Sequence, residues 1–112
     1  MTPSDSGPAA VPPAGCRTMA ELRTQIDRLD KVLVRLLAER QGYIERAAEI
    51  KADRAAVRDE ARIADVVAKV LEEAEKAGLA HQIAEPVWRI LIERSIAHEF
   101  SVFDAGRDQR PR

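Results

Sequence analysis

Cysteine is nearly absent from these 112 residues, and aromatic side chains make up only 4% of them. The single cysteine, Cys16, excludes an intrachain disulfide framework and makes a reducing cytoplasm the expected compartment. A zinc site is not expected either: beside that one thiol stand only His81 and His98, far apart and without a ligand spacing. No run approaches the ~20 apolar residues of a membrane span. The opening residues have neither a basic n-region nor a long apolar stretch, so they are not read as a signal peptide. Charge of one sign is lacking too. The formal net charge is −1, so no global field draws the chain to nucleic acid or to an anionic membrane, and any anion binding must be local. No stretch alternates at period two, so no strands are expected.

What is present is helical. Hydrophobic residues make up 46% and charged residues 33%, with Ala, Leu, Ile and Val dominating the apolar set. This suits one soluble all-α domain. Residues 1–17, rich in Pro, Ala, Gly and Ser, are expected to form a disordered arm. Thr18 is placed to cap a first helix, with Glu21 completing a capping box. That helix runs to about Ala52 with one glycine, Gly42, at a cost of about 1 kcal/mol. A short connection covers about Asp53 to Val57. Asp59 is the N-cap of a second helix that reaches about Ala77, and Gly78 is its C′ residue. The third helix starts near His81, or after Glu85 with Pro86 in an N1-like position, and ends near Phe103. Residues 18–103 thus form the helical domain and 104–112 a polar tail.

The first helix is too long for the globule it belongs to. Roughly 35 residues at 1.5 Å each span ~50 Å, whereas a chain of this length has a radius of gyration near 13–14 Å. The apolar stripe of Leu22, Ile26, Leu29, Leu33, Leu36 and Leu37 therefore overhangs. A second copy of the chain is the expected cover, giving an intertwined homodimeric helical bundle of three helices per chain. The alternative is a bend near Gly42 and a compact monomer.

Basic residues interrupt these apolar stripes. Arg40 and Lys51 continue the first helix's apolar face, where an unpaired cation turned toward a core costs several kcal/mol. Arg23, Arg62 and Glu99 join the pattern, and together they suggest a pocket for a small anion. Each also has a plainer reading. Arg40 can snorkel to solvent, and Lys51 is favourable at a helix C-terminus for dipole reasons alone. Arg62, near a helix start, is less easily accounted for. Asp27, Asp30, Tyr43 and Trp88 are read as structural, and His81 and His98 as surface residues.

The run LRTQIDRLDKVLVRLLAERQGYIERAAEIK, then VRDEAR, then VWRILIERSIAHEF, resembles the small all-helical chorismate mutase family over about residues 19–103. The resemblance implies an intertwined dimer with two equivalent sites, each taking Arg23 from the partner's long helix. Arg40, Lys51 and Arg62 would come from the site's own chain, with Asp59, Ser95 and Glu99 nearby. The implied reaction is the pericyclic rearrangement of chorismate to prephenate in aromatic amino acid biosynthesis, with no metal or organic cofactor. Arg23 and Arg40 would fork the two carboxylates of this dicarboxylate substrate and hold its reactive conformer. Lys51 would meet the negative charge developing on the ether oxygen. Asp59 would accept a hydrogen bond from the ring hydroxyl. A complex with another shikimate-pathway enzyme is compatible with the family, and nothing in the chain identifies one.

Three departures bear on specificity. Glu99 stands where well-known bacterial members carry Gln, which implies that it acts protonated, held so by burial; the other reading is a Glu paired with a nearby Arg or Lys outside the chemistry. Ile63 stands where several mutases carry a Glu that assists hydroxyl recognition. The link from Lys51 to Arg62 is one residue shorter than in the best-known bacterial mutase. In that respect, and around Tyr43–Ile44 and Ile96–Ala97, the chain also resembles isochorismate pyruvate lyases, relatives on the same fold. Val57-Arg58-Asp59 matches the mutase version, so mutase is the leading expectation and lyase the alternative. A non-enzymatic helical dimer or partner module is the remaining reading, and it has no need for Arg23, Arg40 and Lys51 together.

Overall fold

The computed structural model describes residues 9–109 and is all-helical, with no strand among them. A 3-10 turn at Pro13–Gly15 precedes α1 (Met19–Ile50). A second 3-10 turn at Arg54–Ala56 leads to α2 (Glu60–Ala77), and α3 (His81–Gln109) completes the chain. No helix among the described residues is long and apolar enough to cross a membrane. The chain divides into two units between Arg40 and Gln41, inside α1.

In the first unit, α1 starts where its cap dictates. The Thr18 hydroxyl accepts from the Glu21 N–H at 3.1 Å and donates to the Glu21 carboxylate at 3.3 Å. This satisfies one of the orphan donors of the first turn. Part of the expected disordered arm, residues 1–8, lies outside the described residues. The stretch from Ala9 to Arg17 carries the first 3-10 turn and is tied to α1 through one side chain. Gln25 donates to the Ala9 carbonyl at 2.9 Å and accepts from the Val11 N–H at 3.2 Å. No described residue of this unit is buried. Ile26, Leu29, Leu33, Leu36 and Leu37 are 43–55% exposed, although full burial of each such side chain is worth about 1.5–3 kcal/mol.

The second unit has the core. Ala48 at the end of α1, Val57 and Phe103 form a buried cluster, with Ile96, Phe100 and Val102 packed against it. α2 and α3 pack as a helical hairpin, with Val67 and Ala74 buried on α2 and Ala84 and Ile92 on α3. Asp59 caps α2 by accepting from the Arg62 N–H at 3.1 Å. The hairpin turns at Gly78, which adopts φ 76°. Its N–H reaches the Glu75 carbonyl at 3.3 Å, and the Leu79 N–H reaches the Ala74 carbonyl at 2.8 Å, the paired bonds of a Schellman motif.

Two boundaries differ from the sequence reading, and a third falls on one of its two alternatives. α1 ends at Ile50, because Asp53 takes the Ala55 N–H at 3.0 Å and starts a separate 3-10 turn. α3 starts at His81, the first of the two expected starts, which places Pro86 inside the helix, where its missing N–H costs one backbone bond near the N-terminal end. α3 also continues beyond Phe103 to Gln109, so most of the expected tail is helix. The cause is polar anchoring: Arg54 forks Asp104 at 3.0 and 3.3 Å, and Arg107 reaches back to the end of α1.

Because Gly78 occupies the left-handed region, Gly78→Ala is expected to destabilise the fold by about 1–2 kcal/mol. A urea titration with an unchanged m-value and a lower midpoint is the expected record.

Candidate functional site

The site centres on a buried charge. Among the described residues, Glu99 is the buried polar or charged side chain, on the face of α3 that also carries Ser95 and Phe103. A carboxylate removed from water costs several kcal/mol unless a cation and hydrogen bonds compensate. Lys51 provides the cation: its Nζ donates to Glu99 Oε2 at 2.6 Å, across 48 positions of sequence. The lysine follows the last residue of α1, and its N–H still bonds the Ala47 carbonyl at 3.0 Å. A cation there is favoured by the helix dipole. Its side chain is 29% exposed against 5% for Glu99. Lys51 is therefore the more exposed member of the pair.

The other sequence-predicted residues fall into two groups. Asp59, Arg62 and Ser95 belong with Lys51 and Glu99 to the second unit. Ser95 is half-buried, one turn before Glu99 on α3. Asp59 is spent in part on capping, through the Oδ1 contact to the Arg62 N–H. The Arg62 guanidinium is exposed and donates to Asp65 at 2.7 Å. Asp65 also receives Lys69 at 3.0 Å. Its carboxyl is held below the usual carboxylate range, first by the Lys69 hydrogen bond and then by Arg62. Arg23 and Arg40 belong to the first unit. Arg23 is exposed near the start of α1, and Arg40 is half-buried.

Sequence reasoning missed the side chains that hold the pair in place. Arg107, assigned to the tail, donates from Nη2 to the carbonyls of Lys51 at 3.0 Å and Ala52 at 2.9 Å, while lying 4.3 Å above the Phe103 ring. The signal was there: Glu99, Phe103 and Arg107 recur every fourth residue, on one helical face. His98, taken for a surface residue, contacts Glu45 on α1 at 2.7 Å, and that hydrogen bond is the main cause that lowers the Glu45 carboxyl. Arg58 forks Glu93 through two 3.0 Å bonds and ties the segment before α2 to α3. Among the described residues no group of three or more His, Cys, Asp or Glu is placed to hold a metal ion. A fixed ammonium beside a buried carboxyl can hydrogen-bond an anionic or partly charged oxygen, and it can stabilise charge that develops there.

The Arg58 hydrogen bonds hold the Glu93 carboxyl below its ordinary value of 4.5. The unfolded chain then binds protons that the folded chain does not as pH falls through that range, so the contribution is present above the ordinary value and lost below it. Arg58→Ala should flatten the acid limb of the stability profile below about pH 5. Thermal melts of both proteins between pH 3 and 7 measure it.

A family model described as chorismate mutase type II matches residues 22–100. The chain is also 31% identical over 95 residues to the isochorismate pyruvate lyase of Pseudomonas aeruginosa, an overlap that covers 85% of this chain and 94% of that protein.

Proposed function

The chain belongs to the chorismate mutase type II family, and from that premise we propose that it converts chorismate to prephenate. The observation that carries the reading is the Lys51–Glu99 pair, a fixed donor and a carboxyl in contact at the end of α1. In the rearrangement one C–O bond of the enol ether breaks as a C–C bond forms. No proton transfer and no nucleophile are required. The protein's task is to hold a compact conformer and to stabilise charge on the departing ether oxygen. In this proposal Arg23 and Arg40 take the two carboxylates and Lys51 donates to the ether oxygen. Asp59 accepts the ring hydroxyl, and Arg62 and Ser95 complete the binding set. Glu99 completes the catalytic set by holding the Lys51 ammonium at 2.6 Å.

A second reading has its own support. The 31% identity to an isochorismate pyruvate lyase runs along almost the whole of that protein, and an Arg and Lys set that holds one cyclic dicarboxylate suits its isomer. Lyase activity on isochorismate is therefore the alternative. A paired assay separates the two, following prephenate from chorismate and salicylate formed after pyruvate loss from isochorismate. The expected result is prephenate, with kcat lowered about 10²–10³-fold in Lys51→Ala, the usual cost of removing one donor to a developing oxyanion. Salicylate with only slow prephenate would move the chain to the lyase reading. Glu99 is tested in the same assay: Glu99→Ala, which removes the carboxyl that holds Lys51 at 2.6 Å, should lower kcat, and an unchanged kcat would remove Glu99 from the catalytic set.

We further propose that the working form is a homodimer whose α1 stripes cover each other. The support is the bare apolar face of Ile26, Leu29, Leu33, Leu36 and Leu37, which a helix does not keep in water at no cost. Sedimentation should give twice the chain mass. A Leu29→Glu/Leu36→Glu variant should sediment as a monomer and lose turnover, because Arg23 is assigned to the partner's site.

A further inference from the structure

We infer that Arg107 is a positioning residue for Lys51, an inference that rests on the functional reading above. Lys51 is held by α3 at both ends. Its ammonium meets Glu99 at 2.6 Å, and its carbonyl receives Arg107 at 3.0 Å. The same Nη2 reaches the Ala52 carbonyl at 2.9 Å. These carbonyls lie just past the last turn of α1, where backbone oxygens lack intrahelical donors and the dipole is negative. A guanidinium answers both needs. It satisfies two acceptors, and it brings positive charge to the segment from which Lys51 projects.

The anchor is itself fixed. Arg107 lies 4.3 Å over the ring of Phe103, which is buried in the cluster with Ala48 and Val57. Stacking on a ring limits the rotamers of a long side chain and adds a cation–π attraction. Ala48 is on the last turn of α1, so one cluster supports both the lysine's helix and the arginine that grips its carbonyl. Glu99, Phe103 and Arg107 share one face of α3. The register of α3 therefore determines where the Lys51 ammonium stands. A lysine has a flexible four-carbon stem, and fixing its backbone removes the freedom that Glu99 alone leaves.

The experiment compares Arg107→Ala and Arg107→Lys in the wild-type and Lys51→Ala backgrounds, each confirmed folded by circular dichroism. Arg107→Ala should lower kcat about tenfold, because small misplacements of a catalytic group are costly, with KM changed less than about twofold. Arg107→Lys, which still donates to the carbonyls, should recover most of that loss. In the Lys51→Ala background Arg107→Ala should have no further effect. Equal losses in both backgrounds, or a loss confined to KM, would overturn the assignment. The ε-carbon NMR signal of Lys51, assigned by its disappearance in Lys51→Ala, should move in Arg107→Ala and stay in Arg107→Lys; an unmoved signal in Arg107→Ala also overturns it. Should Arg107→Ala not fold, Arg107→Gln is read in its place, with the same direction expected. Absence of turnover on both chorismate and isochorismate would defeat the functional reading, and the Lys51 signal would then decide the role of Arg107 alone.

Discussion

A carboxylate sits where water barely reaches, and the second unit is organised to make that tolerable. Glu99 is 5% exposed and has Lys51 at 2.6 Å. Breaking a buried pair by removing one partner is more damaging than never having had it, since the survivor stays charged and uncompensated. The pair therefore constrains its surroundings. Lys51 must stand at the end of α1, α3 must present Glu99 at one angle, and the connection through Val57 must close beneath them. The contacts around the pair follow this demand. Arg107 closes the end of α1 from α3, Arg54 and Asp104 join the 3-10 turn to α3, and His98 and Glu45 join α1 to α3 one position before Glu99.

The first unit is governed by the opposite condition. Its helix carries apolar side chains and buries none of them. The composition of this stretch, rich in Leu and Arg, favours helix locally. Propensity alone leaves a long helix marginal, and packing normally supplies the rest. The Thr18 cap and the Gln25 bonds to Ala9 and Val11 fix the start of the helix but cover none of the stripe. The apolar face is thus the part of the described chain that packing within the first unit leaves uncovered.

Much of this was legible because local rules and tertiary structure agree. Thr18, Asp59 and Gly78 act as the caps that their residue types suggest. The apolar stripes marked three helices, and the charges that break those stripes marked Lys51 and Glu99 as residues needing partners. What was hidden lies where contacts turn polar. Beyond Phe103 the face of α3 bears Asp104 and Arg107, so a reading based on hydrophobic period stopped there, although the helix continues. Of the two starts that the sequence left open for α3, the helix takes His81 and carries Pro86 inside, where an early proline breaks only one bond. Arg62 looked poorly placed at a helix N-terminus; Asp65 and the Asp59 cap, both nearby in sequence, account for its position.

The choice of Glu at position 99 is best understood as an exchange of one property for another. A neutral amide there would need no cation, and its carbonyl would hold the Lys51 ammonium by a weaker, uncharged hydrogen bond. The carboxylate fixes the Lys51 ammonium and so restricts a side chain that carries about 2 kcal/mol of rotamer freedom. A second hold on the lysine, one that does not involve the ammonium, restricts it further. The Arg107 contact to the Lys51 carbonyl is such a hold. It acts on the backbone and leaves the ammonium to Glu99, and it is anchored in the Phe103 cluster.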